Sequence, residues 1–282
     1  MSGPATGGSP GTAFQDGVFD IEAHAGSVTD LVRSASRQAL AWHRRPLPVE
    51  NKLAVGFDPV TEADRAVEDT IRAGLGALFP GHAILGEERG ETGTGPYRWV
   101  IDPIDGTRAF ISGQPMWGTL VGFQTNRVPV AGWMHIPVLD ETYVATPATG
   151  ARLTGPDGEE RPLAVSAVTE LSQAILLCTH PSMFAPGPQR AAFDALEASV
   201  RLSRFSGDCL NYGLLAAGHV DLVIDNGLAP YDIVPLLPIL AAAGAVVTGL
   251  DGELPLEGGF ALASATPELH AAAMALLRPG FC

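Results

Sequence analysis

The apolar positions near the start of the chain recur at helical spacing. Between Val18 and Trp42 they follow one another at intervals of three, four and seven residues, which predicts an amphipathic helix. A second helix is predicted to begin after Thr61, a suitable N-cap with Asp64 in the first turn, and to end at "FPG" (79–81). The apolar stripe of this second helix is Ala63, Val67, Ile71, Leu75 and Leu78.

Short apolar runs separated by turn residues predict strands after the second helix. Together with the two helices, they predict an α+β half over residues 17–160, in which the helices lie on a largely antiparallel sheet. The predicted strands are 82–85, 98–101, 119–123, 129–135 and 142–145.

Beyond the turn "GPDGEE" (155–160), predicted strands and helices alternate, which is typical of an α/β half and gives its range as 161–282. Residues 1–16 are predicted to be a disordered tail. The predicted strands of the second half are 174–178, 220–225, 245–248 and 260–264, and its predicted helices are 190–198, 211–217, 233–243 and 267–277.

The charge of the chain restricts its partners. Lys and Arg total 17 against 31 Asp and Glu, and the resulting net charge of −14 argues against nucleic acid or a membrane as a partner. A phosphate-bearing substrate would need cations as intermediaries. The three cysteines form no CxxC pair, and the chain has neither a membrane-length apolar run nor a signal-peptide pattern. These features predict a cytoplasmic protein.

Acidic residues occur in four segments, at predicted ends of strands and starts of helices. Mg²⁺ prefers oxygen ligands, so carboxylates gathered from several segments are suited to hold it. In "DPID" both aspartates and the carbonyl of Ile104 can converge on one or two ions. The candidates are Asp58 and Asp64, Glu87 and Glu88, Asp102 and Asp105, and Asp232.

Each acidic candidate also has a purely structural explanation. Asp102, expected at the end of a strand, and Asp105, expected in the following turn, are both typical of turns and caps. Glu88 is suited to an exposed position, and Asp232 to complementing a helix macrodipole. Thr107 can be an N-cap, or it can join Gly106 in offering backbone N–H groups to a phosphate at the start of a helix.

The segments "DPVTEAD", "GEE", "DPIDGTRAF" and "PYDIVPLLPIL", in this order, resemble the inositol monophosphatase-like family of Mg²⁺-dependent, lithium-sensitive phosphatases. The resemblance extends from about residue 18 to 278. It implies a layered αβαβα sugar-phosphatase fold of the α+β and α/β classes, a homodimer, and metals bound between the two halves.

The resemblance also implies a site with two or three Mg²⁺ ions. The implied metal ligands are Glu87, Asp102, the Ile104 carbonyl, Asp105 and Asp232. Thr107 and Asp64 are implied to orient the attacking water, Glu87 to take part in catalysis, and the amides of Gly106 and Thr107 to cradle the phosphate. The implied reaction is phosphomonoester hydrolysis without a covalent phospho-enzyme.

The flanks "DGTRAFISGQPMWGTLVGF", "THPSMF" and "SGDCLNYGLLAAGHVDLVID" resemble the histidinol-phosphate phosphatase branch, which acts in histidine biosynthesis. Such a substrate carries an imidazole and an ammonium, so an acidic or amide lining is expected from Asp208, Asp225 and Asn226. Arg108 can bridge the phosphate or pair with a carboxylate. Asp208 can instead be a helix cap, Asp225 an exposed residue at a strand end, and His180 a turn residue.

Three departures and three rivals remain open. Ala245, Gly249 and the pair Phe57-Asp58 differ from the common family pattern. An inositol monophosphatase or a 3′-phosphoadenosine 5′-phosphate phosphatase would use the same metals, and a non-catalytic regulatory binding protein could keep the fold. Zinc hydrolases, P-loop kinases and Rossmann dehydrogenases are disfavoured, because the chain has no H-E-x-x-H, G-x-x-x-x-G-K-[ST] or G-x-G-x-x-G motif.

Overall fold

A computed structural model describes residues 19–46, 48–51 and 59–281. The predicted tail over residues 1–16 and the candidate Asp58 lie outside the described residues. Within the described ranges, no helix has both the length and the apolar character needed to cross a membrane.

The two predicted N-terminal helices are present as α1 (Ala25–Gln38) and α2 (Glu62–Leu78). The first is shorter than the predicted range, because 3₁₀ turns precede and follow it. The second begins as predicted, since Thr61 accepts a hydrogen bond from the N–H of Ala63 at 3.2 Å and the Asp64 carboxylate accepts one from the N–H of Thr61 at 2.8 Å.

The larger sheet has eight strands in the order β10-β9-β8-β7-β6-β5-β3-β4, and a separate two-stranded ribbon pairs β1 with β2. Among the described strands of this sheet, only β3 and β5 are parallel neighbours, so the prediction of a largely antiparallel sheet is confirmed. The strands are β1 (Glu50–Asn51), β2 (Pro59–Val60), β3 (Ala83–Gly86), β4 (Gly90–Thr92), β5 (Tyr97–Asp105), β6 (Gly118–Thr125), β7 (Val128–Ile136), β8 (Glu141–Thr146), β9 (Gly150–Thr154) and β10 (Glu160–Pro162).

The smaller sheet is mixed, with the order β12-β11-β13-β15-β14. Its strands are β11 (Ile175–Cys178), β12 (Leu202–Phe205), β13 (Leu222–Leu228), β14 (Val246–Thr248) and β15 (Gly259–Ser264). The remaining α-helices are α3 (Thr107–Ile111), α4 (Pro188–Ser199), α5 (Cys209–Ala216), α6 (Pro230–Ile233), α7 (Leu237–Ala243) and α8 (Pro267–Leu277). The division of the chain at residue 160 stays a prediction.

One predicted helix is wrong as a single element. Residues 233–243 were expected to form a continuous helix, but α6 ends at Ile233 and α7 begins at Leu237. Pro235 stands between them, and proline has no N–H for a helical hydrogen bond. The resulting corner turns the short helix that carries Asp232 back towards the larger sheet.

The elements stack in five layers, which confirms the implied αβαβα fold. Helices α1 and α2 pack on one face of the larger sheet, α5 and α7 lie between the sheets, and α4 and α8 cover the smaller sheet. Alternation along β13 illustrates this arrangement. Val223 faces the central layer, whereas Leu222 and Ile224 face the α4 and α8 side.

Two glycines let the corner between α6 and α7 lie directly on the larger sheet. A Cβ atom on Gly132 would lie 2.0 Å from the carbonyl oxygen of Pro235, and one on Gly122 would lie 2.9 Å from the Cα atom of Pro235. Since β6 and β7 carry no side chain at these points, backbone packs against backbone. This contact fixes the height of Asp232 above the sheet.

Candidate active site

The paired aspartates lie on one strand, in a distorted part of it. The sequence predicted that Asp105 would follow the strand in a turn, but β5 continues through Asp105. Residues three apart in a regular strand point to opposite faces. Asp102 is opposite Leu120 and Asp105 is opposite Gly118, so β5 has one more residue than β6 over this interval. This bulge allows both carboxylates to face one cavity.

Asp232 joins the two aspartates from the first turn of α6. One carboxylate oxygen from each of Asp102, Asp105 and Asp232 lies within 4.8 Å of the others. Two of the three carboxylates are oriented by backbone donors. The N–H of Cys209 donates to Asp105 Oδ2 at 2.6 Å, and the N–H of Ala229 donates to Asp232 Oδ2 at 2.8 Å.

Burial and mutual repulsion disfavour negative charge in this cluster. Burial raises the pKa of Asp102 well above its usual value, and the charges of Glu87, Asp105 and Asp232 raise it further. The pKa of Asp105 is also raised well above its usual value, first by burial and then by the charges of Asp208 and Asp232. A cation among these oxygens would reverse the effect.

The donor set fits a hard cation. Asp102 is 2% exposed, and its Oδ1 atom has no hydrogen-bond partner among the described residues. Burying a carboxylate oxygen costs free energy unless a hydrogen-bond donor or a cation compensates it. Glu87 and Ile104 line the same cavity as the three aspartates, so the implied set of oxygen ligands is gathered in one place.

Thr107 and Asp64 approach one another beside the cluster. Thr107 Oγ1 lies 3.4 Å from Asp64 Oδ1 and 3.1 Å from the carbonyl oxygen of Ile104, so its single proton has two possible acceptors. The other oxygen of Asp64 accepts hydrogen bonds from the N–H and the hydroxyl of Thr61, at 2.8 and 2.6 Å. The capping contact of α2 thus also orients Asp64.

Gly106, rather than Thr107, is the N-cap residue of α3. Its φ angle of 83° lies in the left-handed region that favours glycine. A Cβ atom at Gly106 would lie 3.1 Å from Asp208 Oδ2 and 3.1 Å from the carbonyl oxygen of Met116. The backbone of Gly106 is therefore accessible from the cavity only because no side chain is present.

These groups line one cavity of about 430 Å³. It contains six carboxylates, whereas Arg108 is the only permanently charged cation among the described residues that line it. An anionic phosphate would meet strong repulsion here without further positive charge. The six carboxylates are those of Glu87, Asp102, Asp105, Asp208, Asp225 and Asp232.

Asp208 lines the cavity on the side of Gly106. It is the N-cap residue of α5, but its side chain makes no capping hydrogen bond. Its φ angle of 45° is unusual for a residue other than glycine. Burial raises its pKa to about 6, an effect partly offset by the N–H of Gly207 and by Arg108. Its carboxylate is oriented towards the cavity instead of its own helix.

Asp225 and Asn226 differ sharply in their surroundings. Asp225 is 1% exposed, and its two oxygens accept hydrogen bonds from the N–H of Thr179 at 2.7 Å and the hydroxyl of Tyr212 at 3.1 Å. It is therefore not an exposed strand-end residue. Asn226 is not among the described residues that line the cavity, and its NH₂ group donates to the carbonyl of Met183 at 3.0 Å. Its contact with the substrate stays a prediction.

Several residues at or near the site were not predicted. Cys209, Tyr212 and Tyr231 line the cavity, and Glu68 supports the turn that carries Glu87. Glu68 follows Asp64 by four residues, so helical periodicity alone puts both on one face of α2. That spacing was a signal available in the sequence.

Comparison with known proteins now decides the family. Residues 20–279 match the inositol monophosphatase family. The chain belongs to this family. A histidinol-phosphatase from Chlorobaculum parvum is 34% identical over 84% of this chain and 89% of its own length. A chloroplastic bifunctional phosphatase from Arabidopsis thaliana is 36% identical over 70% of this chain, which spans 56% of that relative's length.

The fold of the chain has solved relatives. An inositol monophosphatase from Zymomonas mobilis superimposes with a TM-score of 0.77 and 31% identity, over 92% of this chain and 99% of that one. The chain is a phosphoric monoester hydrolase of a metal-dependent family that acts on small phosphorylated substrates. The resemblance derived from the motifs is confirmed.

Proposed function

We propose that this inositol monophosphatase-family enzyme hydrolyses L-histidinol phosphate to L-histidinol and phosphate, and so acts in histidine biosynthesis. The observation that carries the proposal is the carboxylate of Asp208, which lies beside the acidic cluster but is separate from it. The histidinol-phosphatase from Chlorobaculum parvum, 34% identical, supports the same substrate.

The chemistry of the substrate explains why Asp208 matters. In L-histidinol phosphate the ammonium is on the carbon next to the phosphorylated CH₂O group, so its counter-ion must lie close to the phosphate. Asp208 meets this condition, because its carboxyl group lies against Gly106, in the turn predicted to hold the phosphate. Inositol phosphates carry neutral hydroxyls at the corresponding distance and gain no charge pairing there.

Mg²⁺ is the metal that we propose for the site, with two or three ions per chain. Glu87, Asp102, Asp105, Asp232 and the Ile104 carbonyl would hold it, since an all-oxygen donor set suits this ion. The metal would supply positive charge to the phosphoryl oxygens and lower the pKa of water.

The protein's own groups would orient the water and move its proton. Asp64 Oδ1 is an acceptor for the Thr107 hydroxyl, which frees the lone pairs of Thr107 Oγ1 to accept a hydrogen bond from a water. The water's oxygen would then point its lone pair at phosphorus. A proton released from the water can pass to Thr107 Oγ1 as the threonine proton passes to Asp64.

The test is phosphate release from three substrates at equal Mg²⁺ concentration: L-histidinol phosphate, inositol monophosphate and adenosine 3′,5′-bisphosphate. We expect the highest kcat/KM for L-histidinol phosphate, and none of the activity in excess EDTA. Asp208→Asn should lower kcat/KM for L-histidinol phosphate by about 10-fold to 100-fold. This range corresponds to the loss of one hydrogen bond to a charged group, which contributes ~1.5–3 kcal/mol. Inositol monophosphate serves as the matched control and should be little affected.

Three outcomes would redirect the proposal. Equal or better turnover of inositol monophosphate would favour that activity, which the 31% identical enzyme from Zymomonas mobilis makes the second candidate. Absence of Mg²⁺-dependent turnover of every phosphomonoester, in folded protein, would favour a regulatory binding protein. A 3′-phosphoadenosine 5′-phosphate phosphatase would be identified by preference for the bisphosphate.

Further properties belong to the same proposal. Inhibition by lithium, a homodimeric assembly and a cytoplasmic location are predicted from the family resemblance and the composition. Lithium titration of the activity and sedimentation of the purified protein test the first two, and localisation of the tagged chain tests the third.

A further inference from the structure

Glu68 is a buried carboxylate that does not line the active-site cavity. It lies on α2 one turn after Asp64 and is fully buried. A buried carboxylate is costly unless hydrogen bonds and opposite charge compensate it. The hydrogen-bond partners of Glu68 therefore indicate its role.

The partners of Glu68 are in the turn that follows Glu87. The N–H of Glu88 donates to Glu68 Oε2 at 2.6 Å, and the N–H of Arg89 donates to Oε1 at 3.1 Å. Arg72, one turn further along α2, donates from Nε to Oε1 at 2.6 Å and supplies the opposite charge. Both carboxylate oxygens are thus directed at consecutive backbone amides of one turn.

Gly86 shows how closely this carboxylate approaches the turn. A Cβ atom on Gly86 would lie 2.1 Å from Glu68 Oε1, so no other residue fits there without displacing the carboxylate. Glu87 lies between Gly86 and Glu88, and Glu68 contacts the chain on both sides of it. The N–H of Glu87 itself donates to the carbonyl of Ile101 at 3.2 Å, next to Asp102.

We propose that Glu68 is a positioning residue for the metal site. Its carboxylate fixes the backbone from Gly86 to Arg89, and this aims the Glu87 side chain at the aspartate cluster. The proposal rests on the proposed function of Glu87 as a metal ligand. Residues that orient a metal ligand commonly change metal affinity by 10-fold to 100-fold when they are replaced.

The experiment measures the affinity for Mn²⁺ alone by electron paramagnetic resonance titration of the full chain. Glu68→Gln keeps the size of the side chain but points an NH₂ group at one of the two amide donors and leaves Arg72 without its counter-charge. We expect at least 10-fold weaker Mn²⁺ binding and an equal rise in the Mg²⁺ concentration needed for half-maximal activity, with kcat largely restored at saturating Mg²⁺.

Asp69→Asn is the matched control. Asp69 is the next residue of α2 and pairs with the side chain of Arg89 at 2.7 Å, but it is exposed and touches no backbone amide of the turn. Its Mn²⁺ affinity should stay within about 2-fold of the parent protein's. Hydrogen exchange should accelerate at the amides of Glu88 and Arg89 in Glu68→Gln and remain unchanged in Asp69→Asn.

The outcomes separate this inference from the proposed function. Glu87→Gln is the reference variant: if its Mn²⁺ affinity equals the parent's, the ligand assignment is wrong and the positioning role falls with it. If Glu87→Gln weakens Mn²⁺ binding and Glu68→Gln does not, the positioning role alone is overturned, even if the melting temperature drops. Should Glu68→Gln fail to fold, Gly86→Ala, which displaces the carboxylate, must weaken Mn²⁺ binding, and parent-like affinity would refute the proposal.

Discussion

Asp225→Asn should make the stability of the protein less sensitive to pH. Burial raises the pKa of Asp225 to about 7, although the hydrogen bonds from Thr179 and Tyr212 favour its charged form. Asparagine is neutral at every pH and can keep both contacts, because its oxygen can accept from the Thr179 N–H and its NH₂ group can donate to the Tyr212 hydroxyl oxygen. The variant therefore retains the local geometry and loses only the ionisation.

The magnitude follows from the difference between the folded and unfolded states. A pKa of about 7 in the folded state against 3.8 in the unfolded chain is a rise of about 3.2 units, which at 1.36 kcal/mol per unit amounts to about 4 kcal/mol. Because the folded pKa is the higher one, this stability is present below about pH 4 and is lost as the pH rises through 7. Between pH 5 and pH 8 the loss is about 2.5 kcal/mol.

Urea unfolding in EDTA at pH 5, 6, 7 and 8 measures this effect. The free energy of unfolding of Asp225→Asn should gain about 2.5 kcal/mol relative to the parent protein between pH 5 and pH 8. Asp251→Asn, at an exposed position, is the control for the replacement of a surface aspartate. A pH-independent difference between Asp225→Asn and the parent would refute the reasoning that burial dominates at Asp225.

The same variant tests the predicted substrate role of Asp225. Both of its oxygens already hold protein groups, so we expect kcat/KM for L-histidinol phosphate to stay within a few-fold of the parent value. A loss as large as that of Asp208→Asn would instead assign Asp225 to the substrate.

Three further substitutions probe the site. Asp105→Asn should lose at least about 100-fold in kcat yet keep its melting temperature within a few degrees, because it removes a proposed metal ligand and a charge repulsion together. Parent-like kcat at saturating Mg²⁺ would contradict the ligand role. Gly106→Ala should lower the free energy of unfolding in urea by about 1–2 kcal/mol, since φ is 83° there and the new methyl group would contact Asp208. An unchanged midpoint of urea unfolding would count against this strain. Thr107→Val should lower kcat by about 100-fold or more with Mn²⁺ affinity unchanged, and a parental kcat would remove Thr107 from the reaction.

The sequence predicted those elements that are determined by residues within one short segment. Helix α2 was predicted with its cap, because Thr61, Asp64 and the apolar stripe all lie within one segment. The bulge in β5 was not predicted, since it depends on how the strand pairs with β6. The break between α6 and α7 was not predicted, because the apolar residues continue through it without interruption. Pro235 was the residue that indicated a break in the helix.

Side-chain alternation along a strand distinguishes the neighbours Asp225 and Asn226. Both were predicted to contact the substrate, yet consecutive residues of a strand point to opposite faces, so both could not face one cavity on a regular strand. The cluster of Asp102, Asp105 and Asp232 is the opposite case. Asp102 and Asp232 are distant in sequence, and no local pattern could give the 4.8 Å limit that relates their oxygens. Only the family resemblance brought them together in advance.

The raised pKa values of the cluster connect stability with metal binding. Burial and mutual repulsion raise the pKa of Asp102 and Asp105, so without a cation these carboxyl groups keep their protons to a higher pH than usual. A metal ion bound by these aspartates, as proposed, would compete with protons for the same oxygens, one of which, Asp102 Oδ1, has no hydrogen-bond partner among the described residues. As the pH rises through the raised pKa values, the fold without metal should lose the stability that those protons provide, whereas a bound cation would still compensate the charged carboxylates. The burial and mutual repulsion that raise these pKa values would therefore also favour a cation among the same oxygens.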